Sequence, residues 1–437
     1  MKLQKPQNQN YCATVVRIQN IITLENCDNV VATRIMGNQV IISKDVLVGD
    51  MGLFFPVETE LGKEYLSANN LYRKAELNCD NTQKGYFEEN GRIKCVKFRG
   101  HNSEGLFMPL KSLAFTLGVS VDNYSGIFTE RDEFDKINNI QICQKYIPKQ
   151  TKVQGIPNSK KSKQPKVSKI IDNQFRFHDD TSQIYKNLHK FNPNDLIHIS
   201  YKIHGTSGIS AKILCNRKLN FIERLAKSVF KLNINSTQYD YVNSSRRVLK
   251  NDDLNPNPKG FYNEDIWSIA DKDLRPFLLD GMTLYYEIAG FLPSGSGIQG
   301  VFDYGCEPKQ HKIFIYRITM TNVSGKVFEF SAKQVQDWCK TNGLIAVPEL
   351  YYGLAKNIMS FDNFTSIDIW RENFLSQLKY LYNEHDCNLC NNIVPEEGCV
   401  VRIEQLGLEA YKCKSTRFLE FETKQFDKGN IDIETEN

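Results

Sequence analysis

The sequence lacks the hydrophobic segments that a membrane or secreted protein needs. None of its 437 residues belongs to an apolar run long enough to cross a bilayer, and the N-terminal MKLQKPQNQN lacks the apolar region of a signal peptide. The twelve cysteines are too sparse for a disulfide scaffold, so we expect thiols in a reducing compartment. These absences predict a cytoplasmic protein with no membrane partner.

The sequence also has little net charge. Its 55 basic and 51 acidic residues leave only +4, so any surface that binds an acidic partner must be local. Hydrophobic residues make up 41% of the chain, which is enough for well-packed cores, and the length predicts two or three domains.

The first part of the chain is rich in short strand-like segments. CATVVRI, VVATRIM, QVIISKDV and GLFFPV follow one another within residues 12–60, and RIKCVKFRG (92–100) alternates in the same way. Short strands at this spacing predict a small β-barrel rather than βαβ units. We assign residues 1–145 to this domain.

The composition changes after this domain. Residues 144–171 contain eight lysines and no acidic residue. This predicts a solvated linker over 146–171, or a basic arm that contacts a phosphate backbone. Residues 172–437 combine apolar strand-like runs with helical spacing and therefore read as an α+β domain. The helical positions are Leu219, Ile222, Leu225 and Val229, and then Phe374, Leu378 and Leu381.

The segment LIHISYKIHG (196–205) contains a lysine in a strand with one apolar face. With a period of two, one face carries Ile197, Ile199, Tyr201 and Ile203, and the other carries His198, Ser200, Lys202 and His204. A surface strand explains this pattern, and so does a strand whose polar face lines a functional site.

Four further strand-like segments carry side chains suited to chemistry. YYEIAG (285–290) contains Glu287, IFIYRI (313–318) contains Tyr316, and PEEGCVVRI (395–403) has Glu397 just before a glycine. YKCKS (411–415) directs Lys412 and Lys414 to one face, where the two cations repel each other unless an anion lies between them. The order of these groups along the chain is more informative than any one of them.

This ordered set resembles the motifs of the covalent nucleotidyltransferases, which include DNA ligases, RNA ligases and mRNA capping enzymes. KIHGT (202–206) resembles their Lys-x-Asp/His-Gly motif, with the histidine of an RNA-ligase branch. VGDMGLFFPVETEL and VKFRGHNSEGLFMPL are similar to the OB-like module of ATP-dependent RNA ligases of the Deinococcus and Naegleria type. The resemblance implies an α+β chain in which an N-terminal OB-like β-barrel precedes a nucleotidyltransferase domain of antiparallel sheets with flanking helices.

The resemblance also implies roles for individual residues. Lys202 would be the nucleophile that becomes lysyl-AMP, and His204 would support that step. The remaining roles concern ATP and metal. Tyr316 would stack on adenine, and Arg246 or its neighbour Arg247 would orient ribose or phosphate. Glu287 would contact ribose or order metal-bound water, and Glu397 would bind the metal. Lys412 and Lys414 would hold the α-phosphate.

Three residues depart from the family pattern. Tyr201 and Ser207 stand where the phage RNA ligase of this branch has Glu and Asn, and Arg317 follows the stacking aromatic where Asp is usual. None of these changes removes a reactive group, so they bear on base and metal contacts rather than on activity.

The chemistry requires an uncharged lysine, whose ordinary pKa is about 10.4. A divalent cation and nearby positive side chains would lower that pKa and neutralise the phosphate oxygens. The resemblance therefore implies ATP and Mg²⁺ or Mn²⁺ as cofactors. It implies RNA substrates with 3′-OH and 5′-phosphate ends, which the enzyme joins through an RNA-adenylate intermediate. The expected context is the repair of nicked or templated RNA, and the expected enzyme is a monomer.

The N-terminal domain is expected to position RNA, because OB barrels bind oligonucleotides. The basic side chains on one of its strand-like segments could contact phosphates or could be scattered surface charge. They are Arg92, Lys94, Lys97 and Arg99.

Three alternatives stay open. The first is an mRNA capping guanylyltransferase, although only 23 residues follow Lys414 and leave no room for the C-terminal OB domain of those enzymes. The second is a non-catalytic RNA-binding protein with a vestigial nucleotidyltransferase half. A third, local alternative is structural zinc bound by His385, Cys387 and Cys390 in HDCNLC.

Overall fold

A computed structural model describes residues 2–117, 126–148, 169–178, 180–250, 262, 264–359 and 366–429. Most of the lysine-rich segment predicted to be a linker, residues 149–168, lies outside the described residues. Within the described ranges, no helix has the length and apolarity needed to span a bilayer. All twelve cysteines lie within these ranges, and none of them forms a disulfide bond.

The N-terminal part consists of short strands and two short helices. The helices are α1 (Lys63–Ala68) and α2 (Ala114–Leu117). The strands are β1 (Leu3–Gln4), β2 (Ala13–Arg17), β3 (Val30–Ile35), β4 (Asn38–Ser43), β5 (Met51–Pro56), β6 (Thr59–Leu61), β7 (Val96–Phe98), β8 (His101–Ser103), β9 (Gly105–Pro109), β10 (Glu133–Phe134), β11 (Lys136–Ile137), β12 (Ile140–Gln141) and β13 (Cys143–Lys145).

These strands form several small sheets. The largest sheet has the strand order β10-β2-β5-β9. A second sheet has the order β1-β11-β12, and the remaining strands form the separate pairs β3-β4, β6-β13 and β7-β8. The β-rich prediction is confirmed, but the hydrogen bonds among the described strands do not close a barrel, so the expected barrel is not confirmed. The core beneath these sheets includes Val15, Phe55, Tyr65 and Phe134.

The remaining part contains longer strands and five helices within the described residues. The helices are α3 (Phe221–Val229), α4 (Ile266–Leu274), α5 (Ala332–Thr341), α6 (Ile367–Tyr382) and α7 (Thr416–Asp427). The strands are β14 (Ser182–Gln183), β15 (Leu196–Tyr201), β16 (Thr206–Asn216), β17 (Thr237–Ser245), β18 (Met282–Gly290), β19 (His311–Thr321), β20 (Val327–Glu329), β21 (Ile345–Ala346), β22 (Glu349–Leu354), β23 (Gly398–Glu404) and β24 (Leu408–Lys414).

Two mostly antiparallel sheets dominate this part. Sheet I has the order β14-β24-β23-β15-β22, and sheet II has the order β17-β16-β18-β19-β20 with β21 also paired to β19. The five strand-like runs predicted here from the sequence all contain strands, but β15 ends at Tyr201, so Lys202 and His204, which were predicted within this strand, lie after it. Because β15 belongs to sheet I and β16 to sheet II, the short segment between them links the two sheets.

Each sheet packs one face against helices. Ile197 and Ile199 of β15 lie in a core with Trp370 and Phe374 of α6, as the helical spacing around Phe374 predicts. On sheet II, the side chains of β18 pack with α4 and α5 around Trp267. The other faces of the two sheets are left to enclose a cavity.

The N-terminal and C-terminal parts are in direct polar contact. Glu104 accepts hydrogen bonds from Lys379 Nζ at 3.0 Å and from Thr416 Oγ1 at 2.6 Å. Lys186 pairs with Glu133 at 2.9 Å, and its ammonium is buried in this contact. The Glu104–Lys379 ion pair fixes the N-terminal part against α6, and the Glu133–Lys186 pair fixes it against the segment after β14, since breaking a buried pair leaves an uncompensated charge. The hydrogen bond from Thr416 adds a contact with α7.

Candidate active site

Lys202 lies at the point where the chain crosses from sheet I to sheet II. Strand β15 ends at Tyr201, and the Lys202 N–H donates to the carbonyl oxygen of Gly398 at 2.9 Å. The Lys202 side chain enters the cavity between the sheets, where Nζ lies 2.6 Å from Glu397 Oε1. The lysine is therefore held by its backbone at one sheet and directed at a buried carboxylate.

Glu397 is almost fully buried, with 1% of its side chain exposed, because it stands just before β23 in the sheet I core. Its Oε2 lies 3.8 Å from His204 Nδ1. The His204 ring is packed edge-to-face against Phe302 and Phe418, at 4.8 and 4.9 Å between ring centroids. His204 thus stands beside the lysine–carboxylate pair, with its ring held by two phenylalanines.

The neighbouring Glu396 is buried as well but faces different surroundings. Burial, the Cys387 thiol and the Glu397 carboxylate raise the pKa of Glu396 to about 9, so it stays protonated at neutral pH. Of the two adjacent glutamates, Glu397 is the one that the structure places against Lys202, a contact that was not predicted from the sequence.

Glu287 faces the cavity from the middle of β18. Its Oε2 accepts a hydrogen bond from Ser207 Oγ at 2.9 Å, so the serine that departs from the family pattern still orients this carboxylate. Gly205 allows the close approach, because a Cβ there would lie 2.4 Å from the Ile288 carbonyl oxygen and 2.8 Å from Glu287 Cγ.

Tyr316 of β19 forms one wall of the cavity, and Val400 of β23 faces the same space. The Tyr316 hydroxyl is 3.0 Å from His178 Nδ1. Burial, followed by the charge of Glu287, raises the pKa of Tyr316 well above its ordinary value, so the ring stays neutral. An apolar strand residue and a fixed aromatic ring make a slot suited to a planar base.

Arg246 and Arg247 differ in position. Arg246 lines the cavity, with 16% of its side chain exposed, whereas the Arg247 side chain is 50% exposed and does not. Both bind Asp180, at 2.6 and 3.0 Å. Burial opposes ionisation of Asp180, but the two guanidiniums prevail and lower its pKa. The structure therefore favours Arg246 for contact with a ligand.

The two lysines of β24 are separated by their surroundings. Lys412 is buried and lines the cavity. Lys414 pairs with Glu422 of α7 at 3.0 Å, and its Nζ lies 5.1 Å from the centroid of the Phe418 ring. Only Lys412 faces the cavity, so the predicted lysine pair is not brought together around one point.

The cavity is also lined by polar side chains to which the motif comparison gave no role. His198 and Arg402 face it from β15 and β23, and Arg317 faces it from β19. Arg317 binds Glu329 at 2.9 Å, and its guanidinium lies 4.5 Å from the centroid of the Tyr285 ring. The alternation of β15 predicted His198 beside Lys202, but only the pairing of β15 with β23 brings Arg402 to the same wall.

The basic side chains proposed for RNA contact do not form one exposed cluster. Arg92 is 3% exposed and binds Glu58 at 2.7 Å and Asp427 at 3.4 Å, so it supports the contact between the two parts of the chain instead of facing a ligand. Lys94 also pairs with Asp427, at 2.8 Å. Lys97 and Arg99 are exposed, and Arg99 donates to the Asn26 carbonyl oxygen.

Glu397 and Glu287 offer the oxygen ligands that hard cations prefer. Among the described residues, no three His, Cys, Asp or Glu side chains are grouped closely enough for a complete metal site, and His385, Cys387 and Cys390 are not such a group. The two carboxylates fit a divalent ion that takes its other ligands from water and phosphate, and they do not fit a closed structural site.

Two of the three comparisons with known proteins found no match. No family model matches the chain, and no curated protein is significantly similar to it in sequence. Among solved structures, the chain is similar to a Naegleria gruberi RNA ligase mutant with ATP and Mn, at a TM-score of 0.56 and 14% identity over 95% of this chain and 99% of that one.

Two further Naegleria gruberi RNA ligase structures are similar to the same degree. One, a mutant with AMP and Mn, has a TM-score of 0.56 and 14% identity over 94% of this chain and 98% of that one. The other, with PPi, has a TM-score of 0.54 and 15% identity over 95% and 99%. The similarity extends over both the N-terminal and the C-terminal parts, and this chain therefore has the fold of the Naegleria RNA ligase structures.

Proposed function

We propose that the protein is an ATP-dependent RNA ligase that works through a lysyl-AMP intermediate. The observation that carries the proposal is the position of Lys202, 2.6 Å from buried Glu397 in a cavity that Tyr316 and Lys412 also line. Solved structures of the same fold are RNA ligases with ATP, AMP or pyrophosphate, which supports the same chemistry here.

In the first step, Lys202 Nζ attacks the α-phosphorus of ATP. The N–P bond forms as the bond to the bridging oxygen breaks, and pyrophosphate leaves. Glu397 is placed to accept the proton that the amine must lose, and Lys412 and Arg246 neutralise charge on the phosphate oxygens. A bound Mg²⁺ or Mn²⁺ would add charge neutralisation near Glu397 and Glu287.

In the second step, an oxygen of an RNA 5′-phosphate attacks the phosphorus of lysyl-AMP. The N–P bond breaks, Lys202 recovers its amine, and an RNA with a 5′–5′ pyrophosphate-linked AMP is formed. In the third step, a 3′-OH attacks the RNA phosphate, the phosphodiester forms and AMP leaves. Such a sequence repairs RNA breaks, and we propose nicked or templated RNA as the substrate.

The domain organisation belongs to the same proposal. Residues 1–145 would form an OB-like RNA-positioning domain, 146–171 a linker and 172–437 the catalytic domain. Exposed Lys97 and Arg99 are the better candidates for phosphate contact, because Arg92 is buried. Changing both to glutamate should weaken sealing of nicked RNA while AMP attachment is unchanged. Equal sealing by the variant would remove these residues from the RNA site.

Incubation with α-³²P-labelled ATP or GTP and Mg²⁺ or Mn²⁺ tests the central step. We expect label on the protein from ATP, no label on Lys202→Ala, and normal labelling of the matched variant Lys212→Ala, whose lysine pairs with Asp280 on sheet II. Label from GTP alone would indicate a capping guanylyltransferase. No label from either nucleotide would indicate a non-catalytic RNA-binding protein.

Sealing assays would define the substrate. Nicked duplexes, single strands and substrates with a DNA strand, each with 3′-OH and 5′-phosphate ends, separate templated from untemplated joining. We expect the nicked RNA duplex to be sealed fastest. Equal rates on single strands would reject the templated substrate without affecting the proposed lysyl-AMP step.

A further inference from the structure

The connection between β16 and β17 contains an amphipathic helix whose apolar residues are exposed in the part of the chain that the structure describes. This helix, α3, follows the helical spacing predicted from the sequence, yet none of its residues is buried. Phe221 is 80% exposed and Ile222 is 75% exposed, and Leu225 and Val229 are exposed as well. Contiguous exposed apolar surface of this kind marks an interaction site.

The helix is built by local polar contacts. The Asn220 side chain accepts from the Glu223 N–H, and the Asn220 N–H donates back to Glu223, both at 2.8 Å. Arg217 also binds both oxygens of Glu223, at 2.7 and 3.1 Å. A helix of nine residues is marginal in water without packing, so these caps hold it in a form that a partner can bind.

The two sides of α3 differ in chemistry. At 3.6 residues per turn, the apolar residues of α3 share one side, and Arg224 and Lys227 share the opposite side. Residues 217–232 contain five cationic residues and one acidic residue, Glu223, which Arg217 already neutralises. This short segment thus has as much excess positive charge as the whole chain.

We propose that α3 docks the protein on an anionic lipid surface. Its apolar side would enter the headgroup region while its cations face acidic headgroups, which is the chemistry of interfacial helices. Such a helix lies on a membrane and does not span it. This proposal departs from the expectation drawn from the sequence, which was a protein with no membrane partner.

The position of α3 in the fold is compatible with catalysis on the membrane. Strand β16 begins at Thr206 beside the cavity and ends at Asn216, so its eleven residues place α3 about 35 Å along the strand from the cavity. A surface bound at α3 would leave the cavity open to nucleotide and RNA.

A bilayer fits this surface better than RNA does. RNA phosphates would bind the cations but leave the apolar side chains in water. The exposed apolar residues also continue past the helix to Phe230 and Leu232, which makes the surface broader than the single stripe that a groove-binding helix presents.

Sedimentation with lipid vesicles tests the proposal on the full chain, without nucleotide. We expect binding to phosphatidylcholine vesicles that contain 30% phosphatidylserine, little binding to pure phosphatidylcholine, and weaker binding in 0.5 M NaCl. Leu225→Glu should weaken binding at least tenfold and Lys227→Gln about fivefold. The matched control is Leu406→Glu, which changes a fully exposed leucine between β23 and β24.

The result is independent of the proposed ligase activity, because AMP attachment is measured on the same variants and should not change. The proposal is overturned if the full chain does not bind the anionic vesicles, or if Leu225→Glu binds them as well as the parent and Leu406→Glu do. Loss of RNA binding in Lys227→Gln with no vesicle binding would assign the helix to RNA instead.

Discussion

Replacing Tyr316 tests whether the cavity between the sheets holds the base of ATP. The Tyr316 ring forms a wall of the cavity, and its hydroxyl is fixed by His178 at 3.0 Å. Tyr316→Ala removes the ring but leaves the groups that surround the phosphates. Tyr316→Phe keeps the ring and removes only the hydrogen bond to His178.

The expected magnitudes differ between the two variants. Stacking of a base on an aromatic ring contributes about 1–3 kcal/mol, so Tyr316→Ala should raise the Kd for ATP roughly 5- to 150-fold. A hydrogen bond between neutral groups contributes about 0.5–1.5 kcal/mol, so Tyr316→Phe should raise the Kd only about two- to tenfold.

Isothermal titration calorimetry with ATP and Mg²⁺ provides the measurement. The variants should be made in a Lys202→Ala background, so that binding is not followed by AMP transfer. Tyr380→Ala is a matched control, because that tyrosine is exposed on α6. If Tyr316→Ala binds ATP within twofold of the Lys202→Ala parent, the base does not stack on Tyr316 and the assignment of the cavity is wrong.

Three further predictions concern pH, backbone and buried charge. Burial and a neighbouring arginine lower the pKa of His198 to about 4, so below pH 6.5 only the unfolded state gains its proton. The free energy of unfolding should therefore fall by about 2 kcal/mol between pH 7 and pH 5. Urea unfolding of His198→Asn should show a smaller fall. An equal fall in the variant would contradict the role of His198. Gly398 has a φ of 133°, and a Cβ there would lie 2.1 Å from the Cys413 carbonyl oxygen. Gly398→Ala should therefore lose AMP attachment in the radiolabel assay. Full labelling would show that β23 can shift to accept the Cβ. Arg92→Met should lower the free energy of unfolding by about 3–5 kcal/mol, because it leaves Glu58 buried without its partner. The double variant Arg92→Met with Glu58→Met should recover most of this stability in thermal unfolding. No recovery would mean that the broken ion pair is not the cause.

Local patterns were sufficient for the strands that carry the candidate site. The alternation of β15, the mid-strand carboxylate at Glu287 and the lysines of β24 all appeared in strands where the sequence predicted them, whereas Lys202 lies one residue past the end of β15. Strand alternation depends only on neighbouring residues, so it can be recognised without knowledge of the fold. The roles of these residues stay predictions until they are tested by mutation.

The environment of the same residues could not be recognised locally. The polar residues in and after β15 resemble a solvated surface in sequence, but His198 and His204 are both buried in the fold. Lys412 and Lys414 are equivalent in the strand pattern, and only the packing of α7 pairs Lys414 with Glu422. Arg92 resembled surface charge until Glu58 and Asp427 were found beside it.

The sequence by itself determined the α+β character, the strands beside the candidate site, and the residue types available for nucleotidyl transfer, because these follow from short-range periodicity and side-chain chemistry. Only the tertiary structure decided which cations face the cavity, which of two arginines is near it, and that α3 leaves its apolar side exposed. Those properties depend on contacts between residues far apart in the chain, where burial and charge are set by neighbours that no local pattern specifies.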